Sequence, residues 1–530
     1  MPFYFLRRFY LTIEFYIFDV QSIFMKKLYI LLVIVFIGFV GKAQIVSIPD
    51  ANFKAKLLSA SATNQIASTQ EPSLTGNVTT YNNIDTNNDG EIQFSEALAI
   101  KWLKVNSSTI TDLMGIESFT NLKSLNCSSN QLTSLNLSSL TTLEFLNNSS
   151  NQLTSLNVTG LTNLLTLNCS SNFLTVLNLI GLSGLNNLNC SNNLLTNLNI
   201  SSIAILTVLD FSNNNIQNIN LSSSVSLESL SMGANPFSTL VSLNGLVNLQ
   251  FLYIKNLPVS AISPLTMNVM PNLTSLRTLV TDGSSLGNIN YSLIPNLQTL
   301  FCRNTGLTSI GTVPNTIINL TCDNNQLTTL NFTGFSNLSL LSFANNPVTS
   351  LTFGNHPNLI TMYAGATNLT NLDVSSLPAL STLNIYNSSN LISCNIKNGI
   401  NTNLSFNLCP NLQCIKADDI EISAIQNNII TYGYTNCTVS SNCTLENTNF
   451  EIQNSLNLYP NPAKTILNIE TKASLNAKTI NIYDMLGQIV LTIPNAESIS
   501  TIDVSGLQSG CYFVRISSDK GSASGKFIKE

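Results

Sequence analysis

The chain has 530 residues and a formal net charge of −5; only 9% of its residues are charged, while 44% are hydrophobic. That balance excludes an intrinsically disordered chain and leaves no basic patch for nucleic acid, so no nucleic-acid partner is expected. One histidine, His356, and one tryptophan, Trp102, leave little raw material for general acid–base chemistry.

Met1–Phe24 is an aromatic-rich lead, and Met25 is the better start. Lys26 and Lys27 form a positive region, Leu28–Val40 an apolar run, and Gly41-Lys42-Ala43 a small-residue cleavage site. Residues 25–44 therefore predict a cleaved secretory signal peptide, with a retained anchor the alternative that the short apolar run disfavours. Residues 45–102 predict an N-terminal cap. Asp50 starts a short helix over Ala51–Leu58 that covers the first coil of the region beyond.

Within the cap, Asp85–Glu96 reads DTNNDGEIQFSE and fits D-x-[DN]-x-[DN]-G-x5-E without mismatch. This spacing suits a hard cation that wants oxygen ligands. Asp85, Asn87 and Asp89 offer side chains, Glu91 its carbonyl, Gln93 a direct or water-mediated contact, and Glu96 a bidentate carboxylate. Gly90 permits the sharp turn. The run resembles an EF-hand calcium loop, but Thr79–Ile84 before it is not helical, whereas Phe94–Lys101 after it is compatible with a helix. The resemblance implies one structural Ca2+ site of weak affinity, on the order of 10⁻⁴–10⁻³ M. The competing expectation is a polar turn without metal.

Leu125–Leu137 reads LNCSSNQLTSLNL, and the phrase returns at Leu146–Val158, Leu167–Leu179 and Leu188–Ile200. Its central Asn recurs at Asn130, Asn151, Asn172, Asn193, Asn214, Asn235 and Asn256, in steps of 21 residues. L-x-x-L-x-L-x-x-N at a period in the twenties is the signature of a leucine-rich-repeat solenoid. Leu125 and Cys127 alternate with polar neighbours, which gives a short strand with one buried face. Asn130 stands at the turn, where its amide can bond backbone groups that have lost a strand partner. Leu132, Leu135 and Leu137 return to a core that only stacked coils can close. The expected fold class is an α/β-type leucine-rich-repeat solenoid, mostly short parallel strands and turns, followed by a small all-β sandwich. The solenoid takes residues 103–393 in about thirteen repeats, with slips near Pro258–Ser285, Asn304 and Ser389.

The exposed strand positions change along the stack. Early repeats offer Ser124, Asn126, Thr166 and Asn168. Later ones offer Phe251, Tyr253, Lys255, Asp282, Phe301, Arg303, Asp323, Tyr363 and Tyr386. In register these form one stripe on the concave sheet, and aromatics beside Arg are what binding hot spots use. A second ladder follows the turn at Thr133-Ser134, Thr154-Ser155, Thr308-Ser309, Thr328-Thr329 and Thr349-Ser350, and is expected to keep the coils soluble. His356 precedes Pro357 between repeats and is expected on the surface.

Cys127, Cys169, Cys190, Cys302 and Cys322 share the third apolar position of the strand phrase, where Phe211, Met232, Ile254, Phe343 and Ile385 stand elsewhere. They are expected to be small buried hydrophobes. Cys394, Cys409, Cys414, Cys437 and Cys443 cluster in residues 394–445, which predicts one or two disulfides in a C-terminal cap, with the pairing open. Cys511 is alone. Residues 446–455 are a polar linker. Residues 456–530 change to short separate strands, six or seven in number.

The tail carries LYPNP at Leu458–Pro462, INIYDMLGQIV at Ile480–Val490, IDVSGLQSGCYFVRI at Ile502–Ile516 and a closing KFIKE. It is similar to the C-terminal sorting domains of the type IX secretion system of Bacteroidetes, with Cys511 a minor departure. That resemblance implies contact with the secretion machinery, passage across the outer membrane, and release or attachment at the surface of a Gram-negative cell. The repeats resemble surface leucine-rich-repeat proteins of the same bacteria and, more loosely, internalins. The function expected is that of a secreted or surface binding protein for an extracellular protein or glycan. The alternative is a structural spacer or matrix protein without a dedicated ligand. An enzyme is not expected, since no Ser/His/Asp set, zinc-spaced His or phosphate loop is present.

Overall fold

The computed structural model describes Lys27 and residues 44–238, 241–257, 273–284, 291–443, 456–471, 477–494, 500–518 and 521–530. The rest of the signal segment and the linker at 446–455 lie outside the described residues. The chain divides into two compact units, Met1–Leu391 with Asn398–Asn411, and Ile392–Lys397 with Leu412–Glu530.

In the first unit the coils build a single sixteen-stranded sheet. Its edge strand, Ala67–Ser68, comes from the cap and pairs antiparallel with Trp102–Lys104. From Trp102–Lys104 to Asn403–Ser405 the remaining strands run parallel and in register. The strand Asn403–Ser405 extends the stack past Leu391, so the repeats outnumber the thirteen or so expected. Each strand is short because only its central Leu and the residue just beyond its end turn inward. Leu125 and Cys127, Leu167 and Cys169, and Leu188 and Cys190 are all buried. Burial pushes the thiols of Cys127, Cys169 and Cys302 up to about 12 and raises those of Cys190 and Cys322. They stay protonated, as small core side chains do.

After most strands of the long sheet the chain makes the same turn. Ser129, Ser150, Ser171, Asn192, Asn213, Asn304, Asn324 and Asn345 all have φ between 53° and 57°, a left-handed conformation that lets the backbone reverse. The next residue is the ladder Asn, except after Asn304, where it is Thr305. Asn151 Nδ2 donates to the carbonyls of Cys127 (3.1 Å) and Asn148 (3.1 Å), and its Oδ1 accepts from Leu132 N–H at 3.1 Å. Asn172, Asn193, Asn214, Asn235, Asn325 and Asn346 repeat the pattern. Each amide joins two coils and occupies backbone groups that no strand satisfies. Asn256 does not belong to this ladder. An extra residue before Phe251–Tyr253 shifts it by one, so Asn256 takes the left-handed position (φ 51°). Buried Leu257 holds the ladder place. Where Asn is missing, hydroxyls or a thiol satisfy some of the same carbonyls. Ser284 Oγ donates to Ile254 O (2.6 Å), Thr305 Oγ1 to Cys302 O (2.9 Å) and Cys409 Sγ to Ile385 O (3.1 Å).

Among the described residues the repeats carry no α-helix. Their return path is made of turns, two 3-10 segments (Ile116–Ser118 and Tyr291–Leu293) and short strands. Ser134–Asn136 pairs with Ser155–Asn157, and Thr329–Asn331 with Ser350–Thr352, so part of the predicted hydroxyl ladder sits on small outer sheets. The cap holds helices α1 (Ala51–Leu58) and α2 (Phe94–Ala99). Asp50 caps α1 by accepting from Phe53 N–H (2.9 Å), and its other oxygen takes Thr111 N–H (2.8 Å) and Oγ1 (2.7 Å). One side chain thus starts the helix and pins it to the first coil.

In the second unit the strands Ser393–Asn395, Cys414–Lys416 and Thr438–Ser440 run parallel. Helix α3 (Asp419–Thr431) lies between the last two, with a capping box between Asp418 and Glu421. A disulfide joins Cys414 and Cys443, within the cysteine cluster predicted to hold one or two. The tail forms a three-stranded antiparallel sheet, Leu456–Tyr459, Ile466–Thr471 and Thr501–Asp503. A four-stranded one contains Ile489–Pro494, Ala477–Tyr483, Gly510–Ser518 and Gly521–Lys529. Leu467, Ile480, Ile482, Val504, Val514 and Phe527 form the tail's core.

Candidate binding face

The register of the long sheet decides which side chains stand together. Tyr253 pairs with Val280 and Val280 with Phe301, so the two aromatic residues share a column two coils apart. Phe251 lies opposite Thr278, and Tyr363 opposite Ser342 and Asn384. Phe251 is 38% and Tyr363 39% exposed, high for aromatic rings in regular strands.

Two residues past each strand runs a second column containing Lys255, Asp282, Arg303, Asp323 and Tyr386. Arg303 donates to Asp282 Oδ2 from Nη2 (2.7 Å) and Nε (3.2 Å), while its backbone N–H reaches Oδ1 at 2.9 Å. Its guanidinium lies 5.8 Å from the centre of the Phe301 ring, an arrangement in which the ring face attracts the cation. The Asp282 hydrogen bond raises the Arg303 pKa further. Asp323 accepts from Ser342 Oγ and from Ala344 N–H (2.9 Å). Burial pushes its carboxyl above the ordinary range. Phe251, Tyr253, Phe301 and Tyr363 therefore flank the inward column within the strands, the other five predicted residues follow two positions past them, and Asp282, Arg303 and Asp323 are held by the backbone and by their neighbours.

The first coils present the same side differently. Ser124 is not exposed there, nor are Trp102 and Phe145, which begin the neighbouring strands. A loop of the cap lies over them. Gly76 O accepts from Trp102 Nε1 at 2.8 Å and from Ser124 Oγ at 3.3 Å. A methyl group on Gly76 would meet the Phe145 ring at 2.9 Å, and its φ of 77° also favours glycine. The cover over Phe145 comes from about 70 residues earlier in the chain, a distance that periodicity does not reveal.

The candidate calcium loop is folded around its own oxygens. Asp89 N–H donates to Asn87 Oδ1 (3.0 Å) and Asp85 Oδ1 (3.3 Å). Gln93 Nε2 and Asn87 Nδ2 donate to Asp89 Oδ2 at 2.8 and 3.0 Å. The Glu91 carboxylate turns outward to Lys54 Nζ at 2.6 Å. Glu96 caps α2 by accepting Gln93 N–H (2.9 Å) and also takes Thr86 N–H at 2.7 Å. Among the described residues no group of three or more His, Cys, Asp or Glu side chains is gathered as a metal-ligand set. Asp85, Asn87, Asp89 and Gln93 are instead tied to one another, with the amide nitrogens of Asn87 and Gln93 turned to Asp89, so a cation would require both amides to present their oxygens. Glu96 would have to leave Thr86 to join them.

His356 is not on the surface: it is fully buried. Its Nδ1 lies 2.9 Å from Phe335 O, and its Nε2 accepts Gly354 N–H at 3.1 Å. Those partners define a neutral ring with its proton on Nδ1, and burial lowers its pKa. The turn before Pro357 places the chain at the surface, but the Phe335 carbonyl of the preceding coil draws the ring inward.

This architecture defines a leucine-rich-repeat solenoid that carries a secretion tail. Residues 457–530 match the secretion system C-terminal sorting domain family, which marks the chain for export. The fold is similar to the functional domain of InlJ from Listeria monocytogenes, described as including a cysteine ladder. That likeness has 23% identity and a TM-score of 0.50, and spans 92% of this chain and 98% of that one. An internalin (inlF) from Listeria monocytogenes is 18% identical over 72% of this chain and 98% of its own, with a TM-score of 0.45. YopM from Yersinia enterocolitica is 21% identical over 60% of this chain and 82% of its own, with a TM-score of 0.44. No curated protein matches the chain.

Proposed function

We propose that the chain is an exported binding protein, and that it holds a protein partner on the sheet face between Phe251 and Tyr386. The observation that carries this reading is the contrast along one sheet. Where the face meets the cap, Trp102 and Phe145 are covered by a polypeptide loop whose carbonyl accepts from the indole. Further along, Phe251 stands exposed one coil before the fixed Asp282–Arg303 pair and Tyr363 three coils beyond it. The face already packs against main chain in one place, and the open stretch offers the same aromatic chemistry to another chain. The sorting domain supports delivery to the cell surface or the medium, and outer-membrane attachment is part of the proposal.

The test is an array of extracellular proteins and glycans probed with the secreted chain and with a variant carrying Ala at Tyr253, Phe301, Arg303, Tyr363 and Tyr386. A protein hit lost in the variant supports the reading. A hit that survives the changes contradicts it, and a chain that binds nothing is a spacer. We propose in addition that Asp85–Glu96 takes one calcium ion that stiffens the cap. Its support is the motif and the convergence of Asp85, Asn87, Asp89 and Gln93.

A further inference from the structure

A second site lies at the edge of the same coils, one position before the strands begin. There Glu228, Gln250, Arg277 and Gln298 form a row. Gln250 N–H donates to Glu228 O (2.8 Å), Arg277 N–H to Gln250 O (2.9 Å) and Gln298 N–H to Arg277 O (2.9 Å). The row therefore rises one coil at a time, at about 5 Å per step. It floors a cleft of about 440 Å³, within the size range of small-ligand sites.

Every lining residue is polar: Thr274, Ser275, Asn248, Asn296 and Thr316 complete the walls. Asn248 Nδ2 is tied to Val225 O (3.1 Å), Asn296 Nδ2 to Thr274 O (2.7 Å) and Thr316 Oγ1 to Leu297 O (2.6 Å). These bonds make the walls stiff. The floor is different. Among the described residues, no side-chain partner is found for the Arg277 guanidinium, the Glu228 carboxylate or the two Gln amides.

The same column in the first coils behaves otherwise. Lys101 and Lys123 both pair with Glu71 (2.7 and 2.8 Å), and Lys123 also pairs with Glu144 (3.0 Å). Those charges satisfy one another. In the cleft the two charges are held apart by Gln250 and point at solvent with amides on either side.

We propose that this cleft binds an oligosaccharide that carries carboxylates, such as a uronic-acid chain, lying across successive coils. Arg277 presents a planar fork that matches a carboxylate with two parallel hydrogen bonds. Gln250, Gln298 and Glu228 supply the donors and acceptors that ring hydroxyls need. With no apolar side chain in the lining, the cleft has nothing to offer a hydrophobic peptide or lipid. The cleft adjoins the aromatic stripe but shares none of its lining residues with it.

The test is calorimetric titration of the secreted chain with an oligogalacturonate, a neutral oligosaccharide of equal length and a polyglutamate peptide. The expected result is binding of the oligogalacturonate alone, weakened at least tenfold by Arg277→Ala and several-fold by Gln298→Ala. Changing Phe301 to Ala should leave this binding intact, which separates the cleft from the stripe. An unchanged melting temperature in both cleft variants checks their folding. Absence of oligogalacturonate binding would overturn the proposal. So would equal binding by Arg277→Ala, or binding of polyglutamate as tight as that of the sugar.

Discussion

At the scale of single residues, stability depends on where an amide sits rather than on how many there are. Asn172 and Asn148 are both buried. The Asn172 side chain bonds Asn148 O, Cys169 O and Leu153 N–H. The Asn148 side chain takes an inward position between the coils of Cys127 and Cys169, and neither of its amide atoms has a partner. A buried polar group left unpaired costs about 1–3 kcal/mol. Asn172→Ala should therefore lower the melting temperature, by the equivalent of about 2 kcal/mol. Asn148→Cys, which matches its neighbours, should raise it. A shift of the opposite sign in either variant would contradict the ladder account. His356 gives a second prediction. Its folded pKa is depressed by burial, so the unfolded chain binds a proton first, below about pH 6.5. Its contribution is then present at neutral pH and lost as the pH falls below that value. The wild type should melt at lower temperature at pH 5.5 than at pH 7.5, and His356→Gln should flatten that slope, since no other histidine exists.

At the scale of elements, the cap is the part that periodicity describes least. The short coil strands, their buried Leu column and the Asn turns were legible because most of them recur at a step of 21 residues. The misplacement of Asn256 has the same origin: one inserted residue breaks a fixed count without changing a letter of the motif. The burial of Ser124 beneath Gly76 was not legible, because a contact across 48 positions leaves no local pattern. Gly76→Ala should lift the cap loop from the Phe145 ring. Trp102, the only tryptophan, then reports the change: its emission should shift to longer wavelength and quench faster, and an unchanged spectrum would contradict the cover. The calcium loop belongs to the same element. Chelation should lower the melting temperature of the wild type and leave that of Asp85→Ala unchanged; identical melts with and without chelator would sink the calcium proposal.

At the scale of the whole molecule, the tail and the repeats divide the work. The sorting domain was legible from its own phrases, LYPNP and IYDMLGQIV, although its last strand, Gly521–Lys529, was not. Glycine, serine and lysine dominate that strand, and nine paired residues along Gly510–Ser518 supply what local preference lacks. The side of the sheet on which the stripe lies was legible from alternation alone. A partner for the proposed binding face was not, because a ligand is chosen by side-chain geometry that a repeat motif leaves free. The most direct measurement is hydrogen exchange on the secreted chain, alone and with the protein partner that the array identifies. The account predicts protection confined to peptides covering Phe251–Tyr253, Thr299–Arg303 and Thr361–Tyr386. Protection centred instead on the outer face, at the exposed Phe173, Val176 and Ile180, would contradict it.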